Sequence, residues 1–90
     1  MLSNVAKELE MVAYANNGYA SVTLTSGLQL HLTIQDSNRH LAIERKGESP
    51  GMAEVAECLT AFFPEGNDLT IRFNDDYCRV DIFRHEGGQV

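Results

Sequence analysis

The chain has 90 residues, of which 13 are acidic and seven basic, so it is expected to form one acidic domain with a net charge of −6. It has no apolar run of the roughly 18 residues that a membrane-spanning helix needs, and its N-terminus lacks the regions of a signal peptide. The two cysteines, Cys58 and Cys78, form no CxxC motif and no disulfide framework. We therefore expect a cytoplasmic protein that does not bind membranes and keeps both thiols reduced and buried.

The acidic excess is confined to one part of the sequence. The charges of residues 1–47 cancel, as do those of residues 77–90, whereas residues 48–76 combine seven acids with a single base, Arg72. These acids are Glu48, Glu54, Glu57, Glu65, Asp68, Asp75 and Asp76. A negatively charged surface repels the phosphate groups of nucleic acid and attracts basic proteins. We predict an acidic binding surface for a basic protein partner, and no direct binding of nucleic acid.

The first half of the chain predicts a helix followed by three strands. Residues 4–15 repeat apolar side chains at helical spacing, with Val5, Leu9 and Val12 on the buried face, and Gly18 provides the stop. Three stretches then alternate apolar and polar side chains, as half-buried strands do. Their inward positions are Ala20, Val22 and Leu24, then Leu28, Leu30, Leu32 and Ile34, then Leu41 and Ile43.

Alternation also restricts how these strands pair, because a slip of one residue turns every side chain to the opposite face. The pattern favours a three-residue loop at 25–27, with Gly27 in the left-handed position, between the first two strands. It favours a two-residue turn at Ser37-Asn38 between the second and third strands. The resulting pairs are Leu24 with Leu28, Val22 with Leu30, Leu32 with Ile43, and Ile34 with Leu41.

The second half predicts a helix and a hairpin. Ser49 is placed to cap the helix and Pro50 to occupy its first turn, before a buried stripe. This stripe consists of Met52, Val55, Leu59 and Phe62, flanked by Ala56 and Phe63. Two alternating strands follow, joined by a turn at Asp75-Asp76. Their inward positions are Leu69, Ile71 and Phe73, then Cys78, Val80 and Ile82.

The predicted fold is an α+β domain of order α-β-β-β-α-β-β. Each strand has one apolar face and each helix one apolar stripe, which favours a five-stranded, mostly antiparallel sheet with both helices packed on one face. Residues 1–84 form this single domain, and residues 85–90 form a flexible C-terminal tail. A helical crossover would place the fourth strand beside the third or the first strand, parallel to its neighbour in either case.

One row of polar side chains on the uncovered face has the composition of a hydrolase triad. The predicted registers place Ser21 opposite His31, and His31 opposite Glu44. Nucleophilic catalysis also needs an oxyanion hole and a site protected from water, which flat, exposed strands do not provide. We therefore assign no catalytic residue, and keep a hydrolase-like enzyme, or an anion site at Arg72 and Arg79, as alternatives.

The same face of the second hairpin combines aromatic rings with arginines. Tyr77, Arg79 and Phe83 alternate on one strand, Arg72 lies on its neighbour, and Tyr19 joins them from the first strand. These residue types are enriched at interface hot spots. We predict that this sheet face binds a protein partner or a second copy of the chain, which would make a homodimer.

The sequence favours neither a metal site nor a cofactor. Asp68 and the run Asn74-Asp75-Asp76 offer oxygen ligands, but their spacing matches no EF-hand loop, and turns commonly use these residue types. His31, His40 and His85 do not combine with either cysteine into a zinc site.

These observations favour a small, acidic, non-enzymatic protein-binding module. One form is a phage- or mobile-element-encoded inhibitor whose acidic surface mimics nucleic acid on a basic host protein. The other form is a small secretion chaperone. The element order from LSNVAKELEMVAYA to YCRVDIF, together with the acidic charge, resembles that of class I type III secretion chaperones. That resemblance implies an acidic dimer that binds extended effector segments.

Overall fold

Two helices pack on one face of a five-stranded sheet in the computed structural model, which describes residues 2–66 and 68–85. The elements are α1 (Leu2–Ala15), β1 (Tyr19–Thr23), β2 (Gln29–Gln35), β3 (Asn38–Glu44), α2 (Met52–Phe62), β4 (Leu69–Asn74), a 3-10 turn (Asp75–Tyr77) and β5 (Arg79–His85). The predicted α+β class and element order are confirmed. Within the described ranges, neither helix is long and apolar enough to cross a membrane.

The sheet order is β1-β2-β3-β5-β4, and every neighbouring pair is antiparallel. The prediction that the fourth strand lies parallel to the third or the first is therefore wrong. The crossover through α2 carries the chain past β3 to the far edge, and β5 returns between β3 and β4. This order places Val80 and Ile82 of β5 in the middle of the sheet, where their exposed fractions fall to 2% and 0%.

The predicted register of β1 and β2 is confirmed. Val22 lies opposite Leu30, and the Leu24 amide donates to the Leu28 carbonyl at 2.8 Å across the three-residue loop. Gly27 has a φ of +91°, as the left-handed position of this loop requires. Gly18 has the same φ, and its carbonyl accepts a 2.7 Å hydrogen bond from the Ile34 amide, which ties the start of β1 to β2.

The predicted register of β2 and β3 is wrong by two residues. The turn lies at Asp36-Ser37, where Asp36 takes a φ of +55°, and Gln35 pairs with Asn38. Leu32 therefore lies opposite Leu41, Ile34 opposite Arg39, His31 opposite Ala42, and His40 opposite Thr33. Because a two-residue shift keeps every side chain on its predicted face, alternation does not distinguish the two registers.

The core lies between the sheet and the helices, and it differs from the prediction at its margins. Among its side chains at 2% exposure or less are Leu30, Leu32, Leu41, Ile43, Val55, Cys58, Phe62, Phe63, Val80 and Ile82. Two residues of the predicted helical stripes are instead exposed, Val12 by 54% and Met52 by 69%. Neither residue belongs to the packed core, although its neighbours on the same helix do.

The ends of α2 and β5 also differ from the prediction. Gly51, not Ser49, is the N-cap of α2, because the Ser49 hydroxyl donates to Asp75 at 3.4 Å and is used outside the helix. Cys78 lies in the turn before β5 with a φ of +53° and is only partly buried, which corrects the expectation of two buried thiols. His85, the first residue of the predicted tail, belongs to β5, and residues 86–90 lie outside the described residues.

Candidate functional site

The candidate site is the sheet face that points away from both helices, called here the outer face. Strand alternation places on it the polar positions of all five strands, and cross-strand pairing arranges them in rows. Its side chains include those of Tyr19, Ser21, His31, His40, Glu44, Arg72, Arg79, Asp81, Phe83 and His85. In the described part of the chain, no helix packs on this face.

A diagonal line of three side chains, Tyr19, His31 and Glu44, crosses β1, β2 and β3 on the outer face. The Tyr19 hydroxyl lies 3.1 Å from His31 Nδ1, and His31 Nε2 lies 2.9 Å from Glu44 Oε2. A neutral ring with its proton on Nε2 satisfies both contacts, accepting from Tyr19 and donating to Glu44. His31 lies opposite Ala42, not opposite Glu44 as predicted, so the histidine reaches the carboxylate diagonally. Ser21 lies opposite His31 as predicted, but both ring nitrogens already have other partners.

Asp81 is the centre of a second, denser cluster. Arg79 Nε donates to both carboxylate oxygens at 3.1 Å, Arg79 Nη2 donates to Oδ1 at 3.0 Å, and His40 Nε2 donates to Oδ1 at 2.7 Å. Burial by itself would raise the pKa of Asp81, but the hydrogen bonds from Arg79 and His40 outweigh it and hold this pKa below its ordinary value. The hydrogen bond to Asp81 in turn raises the pKa of Arg79. This cluster therefore holds its charges in a fixed arrangement.

The Phe83 ring packs beside this cluster, between the rings of His40 and His85. Its ring stacks on that of His40 with centroids 4.4 Å apart and planes inclined by 7°, and His85 follows at 6.5 Å. The Arg72 guanidinium lies 5.8 Å from the Phe83 centroid, within range of a cation–π interaction. Arg72 lies opposite Asp81, whereas Arg79 lies opposite Asn74, so the two arginines are not cross-strand partners.

Tyr77 lies beyond the strand on which it was predicted. It is in the 3-10 turn, 73% exposed, and not on β5. Together with Asp76, Glu44 and Lys46 it lines an open depression of about 500 Å³ at the end of the outer face. The depression therefore places Asp76 of the predicted acidic surface beside Glu44 of the outer face and beside Tyr77.

The seven acids of the predicted acidic surface lie in different places. Asp75 and Asp76 follow β4 at one end of the sheet, and the Ser49 contact holds the loop containing Glu48 close to them. Glu65 and Asp68 precede β4 at the opposite end, and Glu57 lies on α2, where it lines a groove between the two helices. The structure therefore groups Glu48, Asp75 and Asp76, and separates them from Glu65 and Asp68.

Two of these acids form ion pairs within the chain. Glu54 forms a two-contact salt bridge with Arg45, one contact measuring 3.0 Å, and also accepts from the Gly51 amide at 2.8 Å. The Arg45 hydrogen bond, followed by that of Gly51, lowers the pKa of Glu54. Glu65 lies 3.5 Å from Arg84. Glu54 thus holds the start of α2 in place, a role that its position among other acids in the sequence did not indicate.

The sequence did not identify His40 and Asp81 as members of the site. Both were on the correct face of their strands, but their contact depends on β5 lying beside β3, and the sequence left the strand order open. Over the described residues, 2–66 and 68–85, no three or more His, Cys, Asp or Glu side chains are grouped so that they could hold a metal ion.

Comparison with known proteins assigns no family to the chain. No family model matches it, and no curated protein matches it in sequence. Among solved structures, a chain in the crystal structure of the ExsC–ExsE complex is similar over 100% of this chain and 79% of its own length, with 15% identity and a TM-score of 0.39. A likeness of this size assigns no function, so the function is argued from the site itself.

Proposed function

We propose that this protein is a non-enzymatic protein-binding module that binds its partner through the outer face. The observation that carries the proposal is a sheet face, uncovered in the described chain, on which tyrosine, phenylalanine and arginine side chains surround a hydrogen-bonded frame. Large exposed apolar patches on sheet faces mark interaction sites, and aromatic residues and arginine are enriched at protein interfaces.

The arrangement of His31 supports binding over catalysis. A serine hydrolase needs a histidine nitrogen within hydrogen-bond reach of the nucleophile. Both His31 nitrogens are instead engaged, by Tyr19 and Glu44. Over residues 2–66 and 68–85, the face also has none of the enclosed, water-excluding shape that acyl transfer requires. His31 and Glu44 act in this proposal as a rigid support that orients Tyr19 toward a partner.

The distribution of charge supports the outer face over the acidic surface as the main contact. Glu65 and Asp68 lie at the end of the sheet opposite Asp75 and Asp76, and Glu54 is already paired with Arg45. A partner on the outer face meets a nearly balanced set of charges and exposed rings. A basic segment of that partner would reach Asp76 through the depression beside Tyr77.

Two biological roles are compatible with this proposal. A secretion-chaperone-like role is supported by the element order and the acidic charge, and it uses the exposed face to hold an extended protein segment. An inhibitor that occupies a basic nucleic-acid groove is the second candidate, supported by the grouping of Glu48, Asp75 and Asp76. The inhibitor predicts that nucleic acid competes with the module for its target, whereas the chaperone-like role predicts no such competition.

The proposal is tested with matched tyrosine variants. The affinity-tagged protein captures partners from its native host, and the captured proteins are identified by mass spectrometry and then measured as purified proteins by calorimetry. Tyr19→Ala and Tyr77→Ala remove exposed rings of the outer face and of its depression, and Tyr14→Ala removes a comparably exposed ring from α1. We expect each of the first two variants to weaken binding by about tenfold or more, since hot-spot rings contribute about 2 kcal/mol or more.

The control distinguishes the outer face from the rest of the surface. Tyr14→Ala should bind as tightly as the unmodified chain, and all three variants should keep the same unfolding temperature within a few degrees. Equal affinity of Tyr19→Ala, Tyr77→Ala and the unmodified chain would place the binding surface elsewhere and refute the proposal. Loss of binding by Glu57→Lys alone would favour an acidic contact on α2.

A further inference from the structure

A cavity lined by charged side chains lies on the face of the sheet that the two helices cover. It has a volume of about 290 Å³ and lies where α1 and the end of α2 meet strands β3 and β5. Its charged residues are the bases Lys7, Arg39 and Arg84 and the acids Glu10 and Glu65, and the other described residues that line it are apolar. Three bases against two acids give the described lining a charge of +1, in a chain whose net charge is −6.

Two of these bases are cross-strand partners. Arg39 of β3 lies directly opposite Arg84 of β5. Both point to the covered face, because they alternate in step with the buried residues Leu41 and Ile82. Their side chains are 14% and 16% exposed. Like charges directly opposite each other destabilise a strand pair, so this pair of arginines needs negative charge close to it.

The two acids of the cavity supply that charge unequally. Glu10 Oε2 lies 2.5 Å from Arg39 Nη1, and its side chain is 36% exposed. Glu65 Oε1 lies 3.5 Å from Arg84 Nη1, and its side chain is 74% exposed. An ion pair with one exposed partner contributes little, because water competes for both charges. Glu65 is therefore the acid that a stronger anion would displace.

The third base, Lys7, adds a charge that the described chain leaves unpaired. In the described ranges, Lys7 has no ion-pair partner within 4 Å. It lines the cavity from α1, across from the two arginines of the sheet. The cavity thus brings one lysine and two arginines to a common space from three different elements.

We propose that this cavity is a binding site for a single phosphate group, either free or carried by a phosphate monoester, which displaces Glu65. Without Glu65 the described lining has a charge of +2, which a phosphate dianion neutralises and a carboxylate does not. Arginine holds phosphate oxygens through paired hydrogen bonds, and lysine adds a point charge. At about 30 Å³ for each water molecule, the cavity has room for about nine, enough space for a phosphate group.

Charge elsewhere on the chain restricts the ligand and the place where it binds. A net charge of −6 repels a polyanion such as nucleic acid, which selects a ligand with one phosphate group. On the outer face, Arg79 donates three hydrogen bonds to Asp81, and Arg72 lies opposite the same carboxylate. The anion site that the sequence suggested for Arg72 and Arg79 therefore already contains its anion.

The phosphate site is independent of the proposed function. The cavity lies on the covered face of the sheet, whereas the proposed partner surface is the outer face. Failure of phosphate binding would leave the expected effects of Tyr19→Ala and Tyr77→Ala unchanged, and failure of those two variants would leave the phosphate site unchanged.

The first test titrates the full chain with inorganic phosphate and with phenyl phosphate by calorimetry at pH 7.5 in a low-salt chloride buffer. We expect one site with a dissociation constant of about 1 mM or below. Tighter binding of phenyl phosphate would identify a monoester as the ligand, and equal binding would identify free phosphate. In nitrogen-15 NMR spectra, the Nε–H signals of Arg39 and Arg84 should shift on titration, whereas those of Arg72 and Arg79 should not.

The second test uses exposed residues, so that folding is not at risk. Lys7→Ala should weaken phosphate binding about fivefold or more, because it removes a charged hydrogen-bond donor. Lys46→Ala removes an equally exposed lysine near the opposite end of the sheet and should leave binding unchanged. Glu65→Gln should strengthen binding about threefold or more, since it removes the competing carboxylate. Its control, Glu48→Gln, removes the same charge outside the cavity.

Each result supports or overturns the proposal. Single-site binding that Lys7→Ala weakens and Glu65→Gln strengthens, with both controls unchanged, supports it. No saturable binding of either compound up to about 20 mM overturns it. Binding that Lys7→Ala and Glu65→Gln leave unchanged, or that shifts all four arginine signals equally, also overturns it, because the anion would then lie elsewhere.

Discussion

Gly18 should be the glycine least tolerant of a side chain among those that connect the strands, and Gly27 provides a matched control. Both have a φ of +91°, so alanine at either site takes on a backbone conformation that L side chains rarely adopt. They differ in their surroundings. A Cβ at Gly18 would lie 2.2 Å from the Ile34 carbonyl oxygen, whereas a Cβ at Gly27 would have nothing within 4 Å.

The difference in surroundings sets the expected magnitudes. The positive φ costs alanine about 1–2 kcal/mol at either position. At Gly18 the new Cβ must also move from 2.2 Å to at least 3.0 Å from a backbone atom. That movement disrupts the Ile34 hydrogen bond to the Gly18 carbonyl, which adds about 1 kcal/mol, and strains the start of β1 by about 1–2 kcal/mol more. We expect Gly18→Ala to lower the free energy of unfolding by about 3–5 kcal/mol, and Gly27→Ala by about 1–2 kcal/mol.

Urea and thermal unfolding followed by circular dichroism measure this difference. A gap of about 2–3 kcal/mol between the variants corresponds to a melting temperature about 10–20 °C lower for Gly18→Ala in a domain of this size. Equal destabilisation by both substitutions would show that the Ile34 carbonyl does not lie against Gly18. The register that brings Tyr19 to His31 would then be wrong as well.

Three further predictions concern the site and the core. Asp81→Asn should lower stability by about 1 kcal/mol at neutral pH. Because folding lowers the pKa of Asp81, its contribution is present above the ordinary value of 3.8 and is lost as pH falls through the folded pKa, so the urea midpoints of Asp81→Asn and of the unmodified protein should converge as pH falls below 3.8. A constant difference down to pH 2 would contradict this linkage. Burial raises the pKa of Cys58 to about 12, so iodoacetamide at pH 8 should label the partly exposed Cys78 first, as read by peptide mass spectrometry; equal labelling in the folded protein would argue against a buried Cys58. Ile82→Ala, at a position with 0% exposure, should cost about 3–4 kcal/mol in denaturant unfolding, and a cost below 1 kcal/mol would exclude a central place for β5.

Local pattern was sufficient for the elements, their faces and one register. Each strand was assigned to the correct faces because a one-residue slip would expose its apolar side chains. The loop between β1 and β2 followed from the same rule, since Gly27 stood at the one position where that loop needs a left-handed residue. The outer positions of His31, Arg79 and Phe83 could therefore be predicted before any tertiary contact was known.

Local pattern was not sufficient where two arrangements keep the same faces. The turn between β2 and β3 could shift by two residues without moving any side chain to the other side of the sheet, so Glu44 was placed opposite His31 and not diagonal to it. The helical stripes had the same limitation: Met52 and Val12 have helical spacing like their buried neighbours, but no local signal shows where the sheet beneath a helix ends.

By itself, the sequence determined an acidic α+β domain, two apolar helix faces, five half-buried strands and the polar residues that face outward. Only the tertiary structure decided which strands are neighbours, because strand order depends on contacts between residues distant in the chain, which periodicity does not record. That order brought His40 and Arg79 to Asp81, separated Glu65 from Asp75, and placed Arg84 opposite Arg39. The surfaces proposed here for binding are therefore products of how the strands assemble, built from residues whose faces the sequence had already specified.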